Sequence, residues 1–444
     1  MEADRARRAS RAIPLFALSI AGWACGSSTP SSPAIPDARG CSDWPSRSGE
    51  LFVSLDGASQ FEVEPFLLAT QDDLAVTWEA YGCDDRTRVG YTRRQAAASF
   101  DGIRYLSSPN GQMVSNVTLG RDGAGSLYVA WASWTPGPDR TQPQQQASDL
   151  RIEFARWPAT GGDFLSPVEL SEPITASLYD KPWLVVTGGD GIIVSYSDLR
   201  RGGIWTAASA DGGVTFQRTL VDPDFANMAS LCPDGRPGGA FITYFANRTI
   251  RITHTTDGGV TWSSPSYAAV SDPTGDVSIQ DPTCIASGDE VWIAYGRTLD
   301  SLDVPVARLL RVQVAHTVLG SALVDRDVVA LDSSPGDPDG GTPGFLLFPQ
   351  LTRRSDGALA VAAYRAASEG TGTSALVYVM STDGGQTFGS EATLAVGLTP
   401  SLQRHVPDWL GDYFGWGPSN PGLGTAFVDN ASGFSHIVLD ETVP

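Results

Sequence analysis

The chain has 444 residues and carries 30 Lys and Arg against 50 Asp and Glu, a net charge of −20, so a nucleic acid partner is excluded because such a surface repels phosphate. Its 48 Gly and 30 Pro, with no extended helical apolar period beyond residue 25, describe an all-β chain of short strands joined by turns. A single core would be oversized at this length, whereas a closed array of repeats tolerates it, because each unit buries its faces against its neighbours.

The N-terminus reads as an address. Arg5, Arg7, Arg8 and Arg11 precede a short apolar run from Ile13 to Ala24, the layout of a secretory signal peptide over residues 1–24. Gly22-Trp-Ala-Cys25 resembles the end of a bacterial lipoprotein signal, which implies lipid on Cys25; the leucine usual three positions earlier is Gly22 here. The apolar run is too short to cross a bilayer as a helix, so the membrane is expected to be reached through that lipid alone. Residues 25–45 carry the lipidated Cys and a flexible Ser/Pro tether, and residues 46–444 form the folded domain. This places the protein in the bacterial cell envelope, at the outer membrane or cell surface, with ordinary secretion as the alternative.

Short strands ending in an aromatic then recur along the chain: Leu74–Trp78, Leu127–Trp131, Ile192–Tyr196, Ala240–Tyr244, Val291–Tyr295 and Leu359–Tyr364. One such core per roughly 50 to 70 residues is the pattern of propeller blades of four antiparallel strands. Further strands are expected within Trp409–Trp416, Thr425–Asp429 and Phe434–Leu439. Glu50–Leu55 supplies a strand that would close the last blade from the opposite end of the chain and remove an exposed edge. Seven blades are predicted, with six as the alternative.

Three near-identical octapeptides punctuate the same region: Ser209-Ala-Asp-Gly-Gly-Val-Thr-Phe216, Thr255-Thr-Asp-Gly-Gly-Val-Thr-Trp262 and Ser381-Thr-Asp-Gly-Gly-Gln-Thr-Phe388. In each, the Asp accepts hydrogen bonds from nearby backbone N–H groups and Gly-Gly supplies positive φ, which makes a hairpin clasp. Asp211, Asp257 and Asp383 are therefore structural. The pattern resembles the Asp box, or BNR repeat, of the sialidase superfamily. That resemblance implies a sialidase-like propeller, six-bladed in the catalytic members. It also implies three arginines holding the sialic acid carboxylate, an Asp acid/base and a Tyr nucleophile activated by a Glu. The first arginine of the family lies in an R-I-P stretch; the comparable place here reads Glu62-Val-Glu-Pro-Phe66, without arginine. Gly411-Asp-Tyr-Phe-Gly415 is similar to a segment of bacterial BNR-repeat proteins.

A polar residue recurs beside a proline or strand at the expected inner-strand entrances: Glu64-Pro65, Asp180-Lys181-Pro182, Gln280-Asp281-Pro282, Pro349-Gln350 and Arg404-His405. Two readings stay open. Proline can fix each entrance while its neighbour caps the backbone, or Glu64, Asp180, Lys181, Asp281 and Arg404 can form a shallow polar ligand mouth able to hold a cation. Asp412 and Tyr413 would join that mouth as an acid and a phenol, although Gly411 and Gly415 fit a tight structural turn equally well. With Arg404 they are the candidates for catalysis, and no catalytic residue is assigned. Trp131 and Trp134 are candidates for stacking on sugar faces, with core packing the competing role for Trp131.

With Cys25 lipidated, Cys41, Cys83, Cys232 and Cys284 remain for disulfides in an oxidising compartment. Three pairings are possible. Cys232 and Cys284 lie at similar offsets before the strands ending at Tyr244 and Tyr295, which favours a bond between adjacent blades and leaves Cys41 with Cys83. No CxxC is present and no His lies near a Cys, so neither a metal nor a cofactor is expected. The expected function is non-catalytic binding of a glycan, a peptide or an envelope protein by a monomer. An exo-α-sialidase or related glycoside hydrolase is the alternative, and a structural component of the envelope a third reading.

Overall fold

The computed structural model describes residues 51–443 apart from 53–58, 70–72, 83–85, 96–99, 110–112, 137–147, 173–177, 271–275, 278–281, 299–310, 322–323, 325, 334–344, 367–373, 399–410, 420–421 and 430–435. Seven antiparallel sheets form a β-propeller, and no α-helix occurs among the described residues. Blade 1 comprises Ser59–Ala69, Asp73–Gly82, Thr87–Gln95 and Arg104–Leu106. Blade 2 comprises Met113–Arg121, Leu127–Thr135, Ser148–Trp157 and Val168–Glu169, and blade 3 Tyr179–Val186, Ile192–Asp198, Ile204–Ser209 and Gln217–Asp222. Blade 4 follows with Ala226–Pro233, Ala240–Ala246, Thr249–Thr255 and Ser266–Val270. Blade 5 splits its first strand into Asp276–Val277 and Thr283–Ser287 before Glu290–Thr298, Arg311–Val318 and Arg326–Asp332. Phe345–Arg353, Leu359–Ala366, Ser374–Ser381 and Ala392–Leu398 make blade 6.

Blade 7 joins the two ends of the chain. Gly415–Pro418, Leu423–Asp429 and His436–Val443 are completed by Leu51–Phe52, with Leu51 opposite Leu439 and Phe52 opposite Val438. The expected closing strand is thus present at Leu51–Phe52, while the rest of 50–55 lies outside the described residues. Closure leaves no blade without a neighbour on each side.

The first strands of the seven blades pack side by side around the central channel, and hydrophobic cores fill the spaces between successive blades. The terminal aromatics Trp78, Trp131, Tyr196, Tyr244, Tyr295 and Tyr364 are all buried there. Second strands read as short continuous apolar runs because both of their faces are covered.

The three octapeptides connect the third and fourth strands of blades 3, 4 and 6. In the first, Asp211 Oδ1 accepts the N–H groups of Val214 and Thr215 at 3.0 and 2.9 Å, and Oδ2 accepts the Thr215 hydroxyl at 2.6 Å. Ser209 Oγ donates to Asp211 at 2.8 Å and accepts Gly213 N–H at 2.9 Å. Asp257 and Asp383 repeat the pattern with Thr261 and Thr387. Each turn is also pressed against the preceding blade. A Cβ on Gly213, whose φ is 85°, would stand 2.6 Å from the Phe154 ring, and Phe216 packs edge-on to Phe154 at 5.0 Å. Trp262 donates to Thr206 Oγ1 at 3.3 Å, and Trp292 of blade 5 donates to Gly384 O at 3.0 Å. The clasp therefore closes a hairpin and fastens one blade to the next.

Cys232 and Cys284, on the first strands of blades 4 and 5, form a disulfide with Cα atoms 5.7 Å apart. Cys41 and Cys83, like Cys25, lie outside the described residues.

The bond closes a loop between residues 52 apart in sequence, which by chain entropy corresponds to roughly 4 kcal/mol. Denaturant unfolding of a Cys232→Ala/Cys284→Ala variant should show a loss of this order; a loss below about 1 kcal/mol would mean that packing alone fixes the two blades.

Hydrogen bonds from Thr215 and Thr387 hold the Asp211 and Asp383 carboxyls well below the usual carboxylate range. For Asp257 burial acts in the opposite direction, but the bonds from Thr261 and Thr255 outweigh it. Depressed pKa values in the folded state mean that this stabilisation is complete above the unfolded value of about 4 and is lost as pH falls through the lower folded values. Melting temperature should therefore drop on acidification below about pH 4, and less steeply in an Asp211→Asn/Asp257→Asn/Asp383→Asn variant. Asp257→Ala at neutral pH should lose about 1 kcal/mol, at the low end for a carboxylate because the group is solvent-exposed; equal acid sensitivity of wild type and triple variant would refute the assignment.

Candidate functional site

The inner strands share one irregularity. Register slips between Val63 and Phe66, Ser115 and Thr118, Asp180 and Trp183, Asn227 and Ser230, and Leu347 and Gln350. At each slip one residue is left-handed: Glu64, Asn116, Lys181, Met228 and Phe348, with φ between 51° and 56°. Such bulges re-aim a side chain. Glu64-Pro65, Lys181-Pro182 and Phe348-Pro349 are therefore bulges inside strands, not the strand entrances expected from the sequence. Proline is accepted because the inner strand is a sheet edge, where a missing N–H leaves no ladder bond unmade.

At the channel side of blades 7, 1, 2 and 3 the bulge residues build one polar lattice. Glu64 of blade 1 accepts Asn116 N–H of blade 2 at Oε2, 3.1 Å, and Asp412 N–H from the segment leading into blade 7 at Oε1, 3.0 Å. Asn116 N–H is shared with Glu79 Oε1 at 2.5 Å. Asn116 Nδ2 donates to Asp180 Oδ1 at 3.1 Å, which also accepts Lys181 N–H at 2.8 Å. Lys181 Nζ reaches Asp412 Oδ2 at 2.6 Å. Blades 3 and 7 are not neighbours in the ring, so this ion pair spans the channel.

Gly411 makes the approach possible. Its φ is 86°, and a Cβ there would stand 2.6 Å from Glu64 Cγ; one on Gly415 would stand 2.6 Å from Leu67 N. The tight turn and the delivery of Asp412 and Tyr413 to the site are therefore the same feature, and the two roles are not alternatives.

None of the lattice is shallow. Glu64, Glu79, Asn116, Asp180, Lys181 and Asp412 are between 0% and 7% exposed, which corrects the expected open mouth. Burial, and then the charge of Glu64, push the Glu79 carboxyl well above the usual range. Tyr81 donates to Glu79 Oε2 at 3.3 Å, and burial followed by the Glu79 charge raises its phenol as well.

An aromatic group adjoins the lattice. Phe66 and Trp183 lie edge-to-face at 5.5 Å, and Tyr413 meets them at 6.5 and 6.3 Å. Phe66 and Trp183 are partly exposed, whereas Tyr413 is buried and donates its hydroxyl to Val117 O at 2.9 Å. Trp131 and Trp134, 0% and 4% exposed, are core residues, which corrects their candidacy as sugar platforms: on a strand covered on both faces, neither ring reaches solvent.

The structure thus brings together Glu64, Asp180, Lys181, Asp412 and Tyr413, while Asp281 and Arg404 lie outside the described residues. Sequence reasoning missed Glu79, Tyr81 and Asn116. Glu79 had a signal, as an acid directly after the aromatic that ends a strand core, where the other cores continue with Ala132, Ser197, Phe245, Gly296 or Arg365. Among the described residues no group of three or more His, Cys, Asp or Glu is arranged to hold a metal.

No protein-family profile matches the chain, and no curated protein sequence matches it. Among solved structures it is similar to a polysaccharide lyase, the PL25 ulvan lyase, at 12% identity and a TM-score of 0.52, over 86% of this chain and 94% of that one. A leech intramolecular trans-sialidase complexed with 2,7-anhydro-Neu5Ac matches at 9% identity and a TM-score of 0.48, over 72% of this chain. A Hadza microbial sialidase matches at 14% identity and a TM-score of 0.47, also over 72%. The chain spans 67% and 66% of those two sialidase chains. The likeness to the lyase shows the fold alone, and the strand order makes that fold a seven-bladed β-propeller.

Removing the ammonium from a buried pair exposes its partner to the full desolvation penalty. Lys181→Met should therefore lose about 3 kcal/mol in chemical denaturation, and the Lys181→Met/Asp412→Asn double variant should be more stable than the sum of the single losses by at least about 1 kcal/mol. Additive losses would show that the contact does not hold the channel together.

Proposed function

We propose that this protein is an extracytoplasmic glycan-binding propeller, tethered through lipid on Cys25, whose site is the channel surface around Phe66, Trp183 and the Glu64 lattice. The observation that carries this reading is the aromatic group: two partly exposed rings from blades 1 and 3 set edge-to-face beside a buried, hydrogen-bonded polar floor. Flat apolar rings beside a few fixed polar atoms suit a sugar, which presents an apolar face and a rim of hydroxyls. The lattice is held by backbone N–H groups, so it is positioned before a ligand arrives, and affinity is not spent on ordering it.

Non-catalytic binding is favoured over hydrolysis of a sialoside. Glu64 stands where the sialidase resemblance implies an arginine, and a carboxylate there repels the acid group that the arginine would grip. Of the two phenols at the site, Tyr413 gives its hydroxyl to a main-chain carbonyl and Tyr81, which bonds to Glu79, is buried.

A glycan array probed with the mature protein should give binding that weakens about tenfold in Trp183→Ala, with no release of the fluorophore from a fluorogenic α-sialoside. Turnover of that substrate abolished by Asp412→Asn or Tyr413→Phe would replace this reading with the hydrolase one. An array on which no glycan is retained would end it.

A further inference from the structure

Two carboxylates converge on one donor inside the channel lattice. Asn116 N–H lies 3.1 Å from Glu64 Oε2 and 2.5 Å from Glu79 Oε1, so a single N–H serves both acids. Glu64 has a second main-chain donor in Asp412 N–H at 3.0 Å, whereas Glu79 has, besides the shared bond, the Tyr81 hydroxyl at 3.3 Å. Glu64 and Glu79 are 1% and 0% exposed, and neither is ion-paired among the described residues.

The groups around the pair supply little positive charge. Tyr81 lies on the strand of Glu79, and Glu62 two residues before Glu64. Blade 3 brings Asp180 and Lys181, and the segment before blade 7 brings Asp412 and Tyr413. Among these residues Lys181 carries the one positive charge, and Asp412 engages it at 2.6 Å. Its charge opposes the effects of burial and of Glu64 on Glu79 without outweighing them. Two ionised carboxylates on one N–H, away from water, repel strongly. A proton between them removes that repulsion and adds a charge-assisted O–H···O bond. The proton belongs on Glu79, because Glu64 uses both of its oxygens to accept main-chain N–H groups.

We propose that Glu64 and Glu79 hold one proton between them, carried by Glu79, and that this proton latches the segment leading into blade 7 onto blade 1. Its loss to solvent leaves two carboxylates on one donor, and their separation withdraws Glu64 from Asp412 N–H. The effect reaches the aromatic group of the channel, since Phe66 follows Glu64 by two residues, Tyr413 follows Asp412, and the two rings meet at 6.5 Å. A carboxyl that holds its proton more tightly when folded contributes stability that is complete below its unfolded value of about 4.3 and is lost as pH rises through the folded one. This is the opposite sense to the Asp clasps of the rim, whose carboxyls are depressed.

The test is amide hydrogen exchange on the full mature chain as a function of pH. Corrected for intrinsic exchange, protection of Asp412 N–H and Asn116 N–H should fall by up to about tenfold per pH unit above about pH 5. In Glu79→Gln it should be flat, because the amide keeps an oxygen for Asn116 N–H and offers an N–H to Glu64 in place of the shared proton. Glu64→Gln, left with one oxygen for two main-chain donors, should lower protection at every pH. The infrared difference spectrum of wild type minus Glu79→Gln at about pH 6 should contain the carbonyl band of a carboxylic acid, above the ordinary carboxylate range. Equal pH dependence in wild type and Glu79→Gln, or a difference spectrum with carboxylate bands alone, would overturn the shared proton. Protection at Asp412 that stays flat with pH in the wild type would overturn the latch without recourse to any variant.

Discussion

The channel depends on Glu64, whose two carboxylate oxygens take main-chain N–H groups from both sides, Asn116 of blade 2 and Asp412 ahead of blade 7. A carboxylate fixed by backbone donors cannot rotate away, so the blades on either side are referred to one point. Blade 7 is the last to be completed, since it takes its fourth strand from Leu51–Phe52. The Glu64 bond to Asp412 and the Lys181–Asp412 pair hold its leading segment on the channel side while that strand closes the rim. Left-handed φ before proline is sterically unfavourable, and at Glu64 and Lys181 these contacts are what over-determine it.

Blade-to-blade packing sets how much freedom remains for such a site. Hydrophobic cores lie between successive blades and bury both faces of every second strand, so a polar residue there must find its partners inside the protein. Glu79 does so by accepting hydrogen bonds from Asn116 N–H and Tyr81, while burial raises its pKa. The rim has the opposite constraint: Asp211, Asp257 and Asp383 face solvent and ionise readily, and their bonds are local.

Much of the fold was legible because the propeller repeats its physics. A strand covered on both faces reads as a short apolar run ending in an aromatic, as at Ala240–Tyr244, and the Asp-Gly-Gly turns fix where third strands end. Half of the site was legible for a narrower reason. Proline marks the bulges at Glu64 and Lys181, whereas the equivalent bulge at Asn116 is followed by Val117 and carries no mark. Proline also misled, since a residue without an N–H looks like the start of a strand when the strand in fact continues past it along a sheet edge. The pairing of Glu79 with Asn116, or of Lys181 with Asp412 across the ring, depends on the approach of blades far apart in sequence, and no local pattern records it.

Repetition and function divide the molecule between them. The octapeptide clasps are nearly identical wherever they occur, because each performs the same task of closing a hairpin and fastening it to the preceding blade. The bulge residues occupy one backbone conformation and share no side chain: Glu64, Asn116, Lys181, Met228 and Phe348. If the bulge served only the ring, one small or apolar residue would suffice at every blade, as Met228 and Phe348 indicate. Placing an acid, an amide and an amine on three consecutive blades, and burying all three, is destabilising unless each is matched to another. The matching is complete enough to hold the ring together, yet Asn116 Oδ1 and Gln350 Nε2 remain without partners among the described residues. A scaffold selected for stability alone would fill such positions with apolar side chains, so it is the irregular tier of the channel, and not the repeated clasps of the rim, that sets this ring apart from a plain repeat.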